Sequence, residues 1–178
     1  MNIIILGPQG SGKGTQAKLI ADKFNLFYFE SGEFLRELAI KNEVVRAIMD
    51  KGELVPSNEL ASYIESFLDE KEIYDNIIFD GFPREVEQYK FFKDWLTEKK
   101  VNIDFSLLLN VSKETTMQRL LLRKREDDTP EAIEKRLELY RNETLPLIEE
   151  LRKDSKLIEI DGERTVEEIQ KEICEKLI

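Results

Sequence analysis

The sequence contains no histidine, only one cysteine (Cys174) and no long hydrophobic run. The lack of histidine excludes catalytic triads, proton shuttles and metal sites built on an imidazole. One cysteine cannot form an intramolecular disulfide, which suits a reducing compartment, and we expect a cytoplasmic protein. The first apolar run, residues 3–6, is too short for a signal peptide or a membrane span, so we expect no membrane partner.

The charge is acidic but mixed in sign. Charged residues make up 36% of the 178 residues and give a formal net charge of −10. Phosphate backbones repel such a chain, so we expect no nucleic-acid partner. Hydrophobic residues make up 41%, enough for a core at this length, and the mixed charges indicate a solvated globular surface.

Five short apolar runs alternate with longer helical patterns. Short apolar runs are typical of strands covered on both faces, and their alternation with helices predicts an α/β fold of three layers. We expect one domain over residues 1–178, built on a five-stranded parallel sheet with helices on both faces. Residues 30–75 look mostly helical and predict an inserted subdomain beside the ligand site, which in such sheets lies at the carboxyl ends of the strands. The predicted strands are 3–6, 26–29, 77–79, 105–109 and 157–160; the predicted helices are 15–24, 58–69, 85–99, 113–124, 131–151 and 166–177.

Residues 7–15 read Gly-Pro-Gln-Gly-Ser-Gly-Lys-Gly-Thr between a predicted strand and a predicted helix. This is the context of a phosphate-binding loop, where glycines let backbone N–H groups point inward and the helix N-terminus adds its dipole. Lys13 supplies a mobile positive charge. Gly14 separates Lys13 from the hydroxyl of Thr15, whereas the general motif has them adjacent. A glycine-rich turn without a ligand is the alternative, but the lysine and its context favour nucleotide binding.

Residues 10–16 resemble the phosphate loop of adenylate kinases and related nucleoside monophosphate kinases. Further motifs of that family follow in the same order and cover nearly the whole chain: residues 30–36, 52–56 and 80–84, then Gln88, Arg119, Arg123, Arg125, Asp127, Asp128 and Arg136. Each match is weak alone, but their joint order is specific. The resemblance implies a P-loop kinase fold that moves the γ-phosphate of ATP to a nucleoside monophosphate, AMP above all.

The resemblance also implies roles for the matching residues, because phosphoryl transfer needs alignment and neutralisation of spread negative charge. The catalytic set would be Lys13, Arg84, Arg119, Arg123, Arg125 and Arg136, with Asp127 and Asp128 orienting the arginines. ATP would contact Gly10, Ser11, Gly12, Lys13, Gly14, Thr15, Arg119, Arg123, Gly162 and Arg164. AMP would contact Ser31, Gly32, Arg36, Glu53, Val55, Gly81, Arg84, Gln88, Arg125 and Arg136. Asp80 would hold the Mg²⁺ of ATP through water. Alternatively, the later arginines form a solvated helix face and Asp80 caps a turn.

The choice of acceptor depends on Gln88 and Ser31. By resemblance, adenylate members carry glutamine at the first position, whereas uridylate and cytidylate members tend to carry asparagine. Ser31 keeps a hydroxyl where adenylate members have threonine. Both favour AMP, and Glu30 is a departure beside them. A UMP/CMP or broad-specificity kinase is the alternative. A nucleotide-binding regulator without transferase activity is a more distant one, since it would not need a second phosphate site.

The lid that closes over the phosphates in this family is reduced to a short loop near residues 123–128. Only Lys124 separates Arg123 from Arg125, where relatives insert more residues. The cysteine zinc site of long lids has no counterpart, so no zinc is expected. Three consequences stay open. The 30–75 segment closes the site alone, a neighbouring subunit covers it in a homo-oligomer, or water reaches the γ-phosphate and causes ATPase leakage.

Overall fold

The computed structural model describes residues 1–51, 53–123 and 129–178, apart from the side chain of Arg123. Its strands are β1 Ile3–Leu6, β2 Phe27–Glu30, β3 Ile77–Asp80, β4 Phe105–Asn110 and β5 Lys156–Asp161. Its helices are α1 Lys13–Phe24, α2 Ser31–Lys41, α3 Glu43–Asp50, α4 Ser57–Glu70, α5 Val86–Lys99, α6 Lys113–Arg123, α7 Pro130–Leu139, α8 Leu145–Asp154 and α9 Val166–Lys176.

The strands form one parallel sheet in the order β2-β3-β1-β4-β5. All four residues of the central strand β1 are buried, because helices cover both faces of the sheet. The predicted five-stranded α/β fold is therefore confirmed. Each predicted strand is found, with ends that differ by no more than one residue.

Side chains of β1 alternate between two apolar cores. Ile3 and Ile5 pack with residues of α1 and α9 on one face. Ile4 and Leu6 pack on the other face with α5, α8 and the helices that follow β2. This alternation follows from the two-residue period of a strand, and it produces the three layers.

Three helices, α2, α3 and α4, occupy most of the segment between β2 and β3. Asn42 separates the first two: its side chain accepts hydrogen bonds from the N–H groups of Val44 at 3.0 Å and Val45 at 3.1 Å, which caps α3. Phe34 of α2 packs against the ring of Phe29 in β2, with centroids 5.5 Å apart. The segment is thus anchored to the sheet, and its behaviour as a separate subdomain stays a prediction.

The helix predicted over residues 131–151 is found, since the chain is helical without interruption from Pro130 to Asp154, but it is not α-helical throughout. A π-helical turn, Tyr140–Thr144, separates α7 from α8. Pro146 lies in the first turn of α8 and has no N–H to donate to the carbonyl of residue 142, so the regular ladder breaks there. The start of α7 agrees with its sequence, because Thr129 caps it and Pro130 takes the first helical position. None of the helices in the described ranges is long and apolar enough to cross a membrane.

Two adjacent phenylalanines of α5 provide a test of this packing. Phe92 is fully buried, and its ring lies 5.1 Å from those of Phe79 and Phe82. Phe91 is 39% exposed, although its residue type alone would favour burial. We expect Phe92→Ala to lower the free energy of unfolding by about 3–5 kcal/mol, and Phe91→Ala by less than about 1 kcal/mol. Urea unfolding measures both, and equal losses would contradict this assignment of the core.

Candidate active site

The loop between β1 and α1 curls back beneath the N-terminus of α1. Gly10 has a positive φ of 86°, and a Cβ there would lie 2.9 Å from Cγ of Leu120. Glycine therefore meets both the backbone and the packing requirement. Lys13 begins α1, and its Nζ donates to the carbonyl of Pro8 at 3.4 Å. The loop thus combines a helix N-terminus with a cation, as phosphate binding requires.

Asp80 ends β3 beside this loop and is buried. The hydroxyl of Tyr28, from β2, donates to its Oδ2 at 3.1 Å. Gly14 lies close to the same oxygen, since a Cβ there would come within 3.2 Å of Oδ2 and 3.8 Å of the Tyr28 hydroxyl. The glycine between Lys13 and Thr15 therefore gives the carboxylate room at the first turn of α1, which is a physical reason for this departure from the general motif.

Burial raises the pKa of the Asp80 carboxyl above its ordinary value. The charge of Lys13 and the hydrogen bond from Tyr28 oppose this shift, whereas the nearby charge of Glu30 adds to it. A divalent cation would favour the ionised form for the same reason as Lys13. A desolvated carboxylate beside a phosphate loop is thus chemically suited to hold hydrated Mg²⁺.

A second group of residues ties the end of β3 to the start of α2. Ser31 is buried, and its hydroxyl donates to the carbonyl of Gly81 at 2.6 Å. Nε of Arg84 donates to the same carbonyl at 2.7 Å. The backbone N–H of Arg84 donates to Oε1 of Gln88 at 2.8 Å, and Thr144 donates to the carbonyl of Arg84 at 2.8 Å. These bonds fix the bend of the chain after β3 and hold Arg84 beside Ser31.

Several arginine side chains lie near the end of β3. Desolvation by the surrounding protein lowers the pKa of Arg84. The charge of Asp80 raises this pKa, and the charge of Arg136 lowers it. Arg84 and Arg136 are therefore near enough to repel each other. Nη2 of Arg36 lies 3.6 Å from the carboxylate of Glu30. Positive groups gathered in this way form a site for an anion.

Arg119 of α6 joins the phosphate loop to the loop after β5. Its guanidinium donates to the carbonyl of Ser11 at 3.3 Å and to that of Gly162 at 3.0 Å. Gly162 packs tightly, since a Cβ there would lie 2.5 Å from Cγ2 of Val111. The cation is thus held over the loop by backbone oxygens, and the two loops are fixed together.

The phosphate-loop motif and the arginines near Asp80 are the features on which the family resemblance depends, and the chain is similar to known proteins over most of its length. A family model described as adenylate kinase matches residues 5–156. The chain belongs to the adenylate kinase family. It is therefore a phosphotransferase of the nucleoside monophosphate kinase type, which binds small-molecule nucleotides, as the resemblance implied.

Curated adenylate kinases align with nearly the whole chain. The adenylate kinase of Corynebacterium aurimucosum is 38% identical over 173 residues, covering 95% of this chain and 94% of the relative. That of Azobacteroides pseudotrichonymphae is 37% identical over 185 residues, covering 99% and 97%. That of Petrotoga mobilis is 32% identical over 208 residues, covering 97% and 95%. The last alignment is longer than the 178 residues of this chain, so that relative contains inserted residues.

Within this adenylate kinase family member, the sequence-predicted residues form two neighbouring groups. The phosphate-loop group holds Gly10, Ser11, Gly12, Lys13, Gly14, Thr15, Arg119 and Gly162, and the acceptor group holds Ser31, Gly32, Arg36, Gly81, Arg84, Gln88 and Arg136. Asp80 lies between them. Their roles as ATP and AMP ligands stay predictions.

For other predicted residues the nucleotide contacts stay predictions. Val55 is buried in the core and Glu53 is exposed. The guanidinium of Arg164 forms ion pairs with Glu172 and Asp161. The Arg123 side chain, Arg125, Asp127 and Asp128 lie outside the described residues.

Tyr28 was missed by the reasoning from sequence. Tyr28 and Glu30 lie two residues apart on β2, and Glu30 pairs in register with Asp80. The two-residue period of a strand places both side chains on the face of Asp80. The pattern was therefore present in the sequence, but the order of the strands was needed to use it.

Because the carboxylate of Asp80 is buried, we expect its removal to increase stability and decrease activity. Because the folded pKa of Asp80 lies above its ordinary 3.8, ionisation destabilises the folded state at neutral pH. We expect Asp80→Asn to raise the free energy of unfolding at pH 7 by about 0.5–2 kcal/mol while lowering activity. The gain should shrink as the pH falls through the raised pKa and disappear below 3.8, where the wild-type carboxyl is protonated as well.

Urea unfolding across this pH range measures the effect. Asp22→Asn, at an exposed position of α1, is the control and should change the free energy of unfolding by less than about 0.5 kcal/mol. A loss of stability in Asp80→Asn at pH 7 would show that the contacts with Lys13 and Tyr28 outweigh the burial.

Proposed function

We propose that this chain transfers the γ-phosphate of Mg²⁺-ATP to AMP and forms two molecules of ADP. The observation that supports this is the position of Asp80 between the phosphate loop and the site that holds Arg36, Arg84 and Arg136. Two anionic nucleotides that bind on either side would meet in line across the buried carboxylate. Alignment and charge neutralisation then supply the catalysis, and no imidazole base is needed.

Each group of residues has a distinct part in this reaction. Lys13 and the N-terminus of α1 bind the phosphates of the donor, and Arg119 neutralises charge above them. Arg36 and Arg84 hold the α-phosphate of the acceptor. Arg136, close to Arg84, stabilises the group in transfer, because its charge faces the negative charge that spreads in the transition state.

Mg²⁺ is the cofactor we propose, and the residues present fit it. Asp80 would hold the ion through water, with its carboxylate kept in place by Tyr28. When bound, Mg²⁺ supplies positive charge that neutralises and orients the phosphates. Among the described residues there is no cluster of three acidic or sulfur ligands for a metal, so this ion would be carried mainly by the nucleotide.

The side chain of Gln88 supports adenine as the acceptor base. Its Oε1 accepts from the backbone of Arg84 at 2.8 Å, so the amide orientation is fixed and the NH₂ group is the remaining donor. We expect Gln88→Glu to keep the bond to Arg84 but lose that donor, and to raise the KM for AMP about 10- to 100-fold. Steady-state kinetics measure this change, and the KM for ATP is the internal control. An unchanged KM for AMP would remove Gln88 from base recognition.

Only Lys124 separates Arg123 from Arg125, where the family resemblance implies a longer lid, and this leads to a proposal about assembly. A neighbouring subunit would cover the phosphates that a longer lid covers in relatives, making the enzyme a homo-oligomer. Light scattering after size exclusion tests this, and a strict monomer at working concentration would contradict it. We also propose that the enzyme works in the cytoplasm, in keeping with its single buried, unpaired cysteine.

Direct product analysis tests the function as a whole. Mg²⁺-ATP is incubated in turn with AMP, CMP, UMP and GMP, and the products are followed by phosphorus NMR. We expect ADP at the expense of both ATP and AMP, and loss of this transfer in Lys13→Ala, because the donor phosphates lose their cation. Faster turnover of CMP or UMP would keep the mechanism and overturn the choice of AMP. Phosphate released without any transfer would indicate ATPase leakage instead.

A further inference from the structure

Glu30 is a carboxylate placed within the acceptor site. It ends β2 and pairs in register with Asp80 at the end of β3. Its Oε2 lies 3.3 Å from the hydroxyl of Tyr28, whose one proton is shared with Asp80, and its Oε1 lies 3.6 Å from Nη2 of Arg36. The carboxylate is therefore held from two sides, between the strand that carries it and the guanidinium of α2.

The backbone leaves room for this ion pair. A Cβ at Gly32 would lie 3.3 Å from Nη1 of Arg36 and 3.5 Å from Oε1 of Glu30. The two charged groups thus fold over the first turn of α2, where glycine has no side chain. The charge of Glu30 also acts on Arg84, whose pKa it raises. Glu30 therefore pairs with Arg36 and acts through its charge on Arg84, the two arginines that the proposed function assigns to the acceptor phosphate.

A carboxylate and a phosphate bind a guanidinium through the same N–H donors. They cannot share Arg36 at close range without mutual repulsion, since two like charges 4 Å apart repel by about 1 kcal/mol even in bulk water. The site that should bind a phosphate dianion thus already contains an anion of the protein itself.

We propose that Glu30 is an internal competitor for the phosphate of the acceptor nucleotide. In the resting enzyme it occupies Arg36, and the incoming monophosphate displaces it. After displacement, Glu30 stays near the site as a like charge, because its backbone is fixed in β2 beside Asp80. The proposal rests on the proposed function, because it takes Arg36 and Arg84 as the acceptor's phosphate ligands. Glu30 thereby sets how much acceptor the enzyme needs.

The competition is weak enough to be overcome. The Arg36 side chain is 61% exposed and that of Glu30 is 32% exposed, and an ion pair so open to water stabilises the resting state little. A bound phosphate carries more charge and can use both arginines. Glu30 should therefore raise the KM for the acceptor rather than prevent binding.

The test compares Glu30→Gln with Glu33→Gln. Glu33 lies in the first turn of α2 and is exposed, so its substitution removes the same charge nearby without removing the partner of Arg36. We expect Glu30→Gln to lower the KM for AMP, and the Kd of AMP measured alone by calorimetry, about three- to tenfold. The change in KM should exceed that in kcat, and Glu33→Gln should change neither by more than about 1.5-fold.

Two further results are expected if the effect is electrostatic competition at Arg36. The difference between Glu30→Gln and wild type should contract between low and high ionic strength, because salt screens an exposed pair. The gain from Glu30→Gln should also be smaller in the Arg36→Ala background, since the contested guanidinium is gone.

The failures of the two proposals can be told apart. An unchanged or raised KM and Kd for AMP in Glu30→Gln, with AMP still phosphorylated, overturns the competitor and leaves the function intact. If the wild type phosphorylates no monophosphate, the proposed function fails. Calorimetry with AMP alone needs no turnover, so it still decides whether Glu30 opposes binding.

Discussion

The buried carboxylate of Asp80 is the constraint on which the site depends. A charge removed from water must be compensated by partners, and here these come from different parts of the fold. Tyr28 donates from β2, Lys13 adds its charge from α1, and Gly14 leaves the space between them. Compensation is incomplete, because the pKa of Asp80 stays raised. The folded enzyme therefore contains a carboxylate that a cation would stabilise, and this links the fold to the Mg²⁺ that we propose as cofactor.

The arginines show the same principle with the opposite sign. Arg84 and Arg136 lie close enough for one charge to lower the pKa of the other, and their repulsion is relieved by any anion between them. Glu30 supplies part of this relief in the protein, beside Arg36. Phosphoryl transfer between two nucleotides uses such an arrangement directly, because positioned charge does the work that a proton-transferring residue does in other enzymes. A chain without histidine is therefore well equipped for it.

Several features of the fold could be predicted because they arise from local chemistry. The strand Ile3–Leu6 was placed correctly, since a short apolar run before a glycine-rich turn has few other interpretations. The start of α7 also has a local cause, because Thr129 and Pro130 are residue types typical of an N-cap and a first helical position. The π-helical turn before Pro146 and the exposure of Phe91 were not predicted. Both depend on how one helix packs against others, which hydrophobic periodicity does not specify.

The sequence by itself determined the fold class, the phosphate loop and the family, because these are carried by residue types at fixed spacing along the chain. It also named residues such as Ser31 and Arg84 that the structure brings together. Only the tertiary structure decided that Tyr28 supports Asp80 and that Glu30 occupies Arg36. Those contacts depend on β2 and β3 being neighbours in the sheet although nearly fifty residues of chain separate them. Electrostatic coupling follows distance in space, and spacing in sequence does not reveal it.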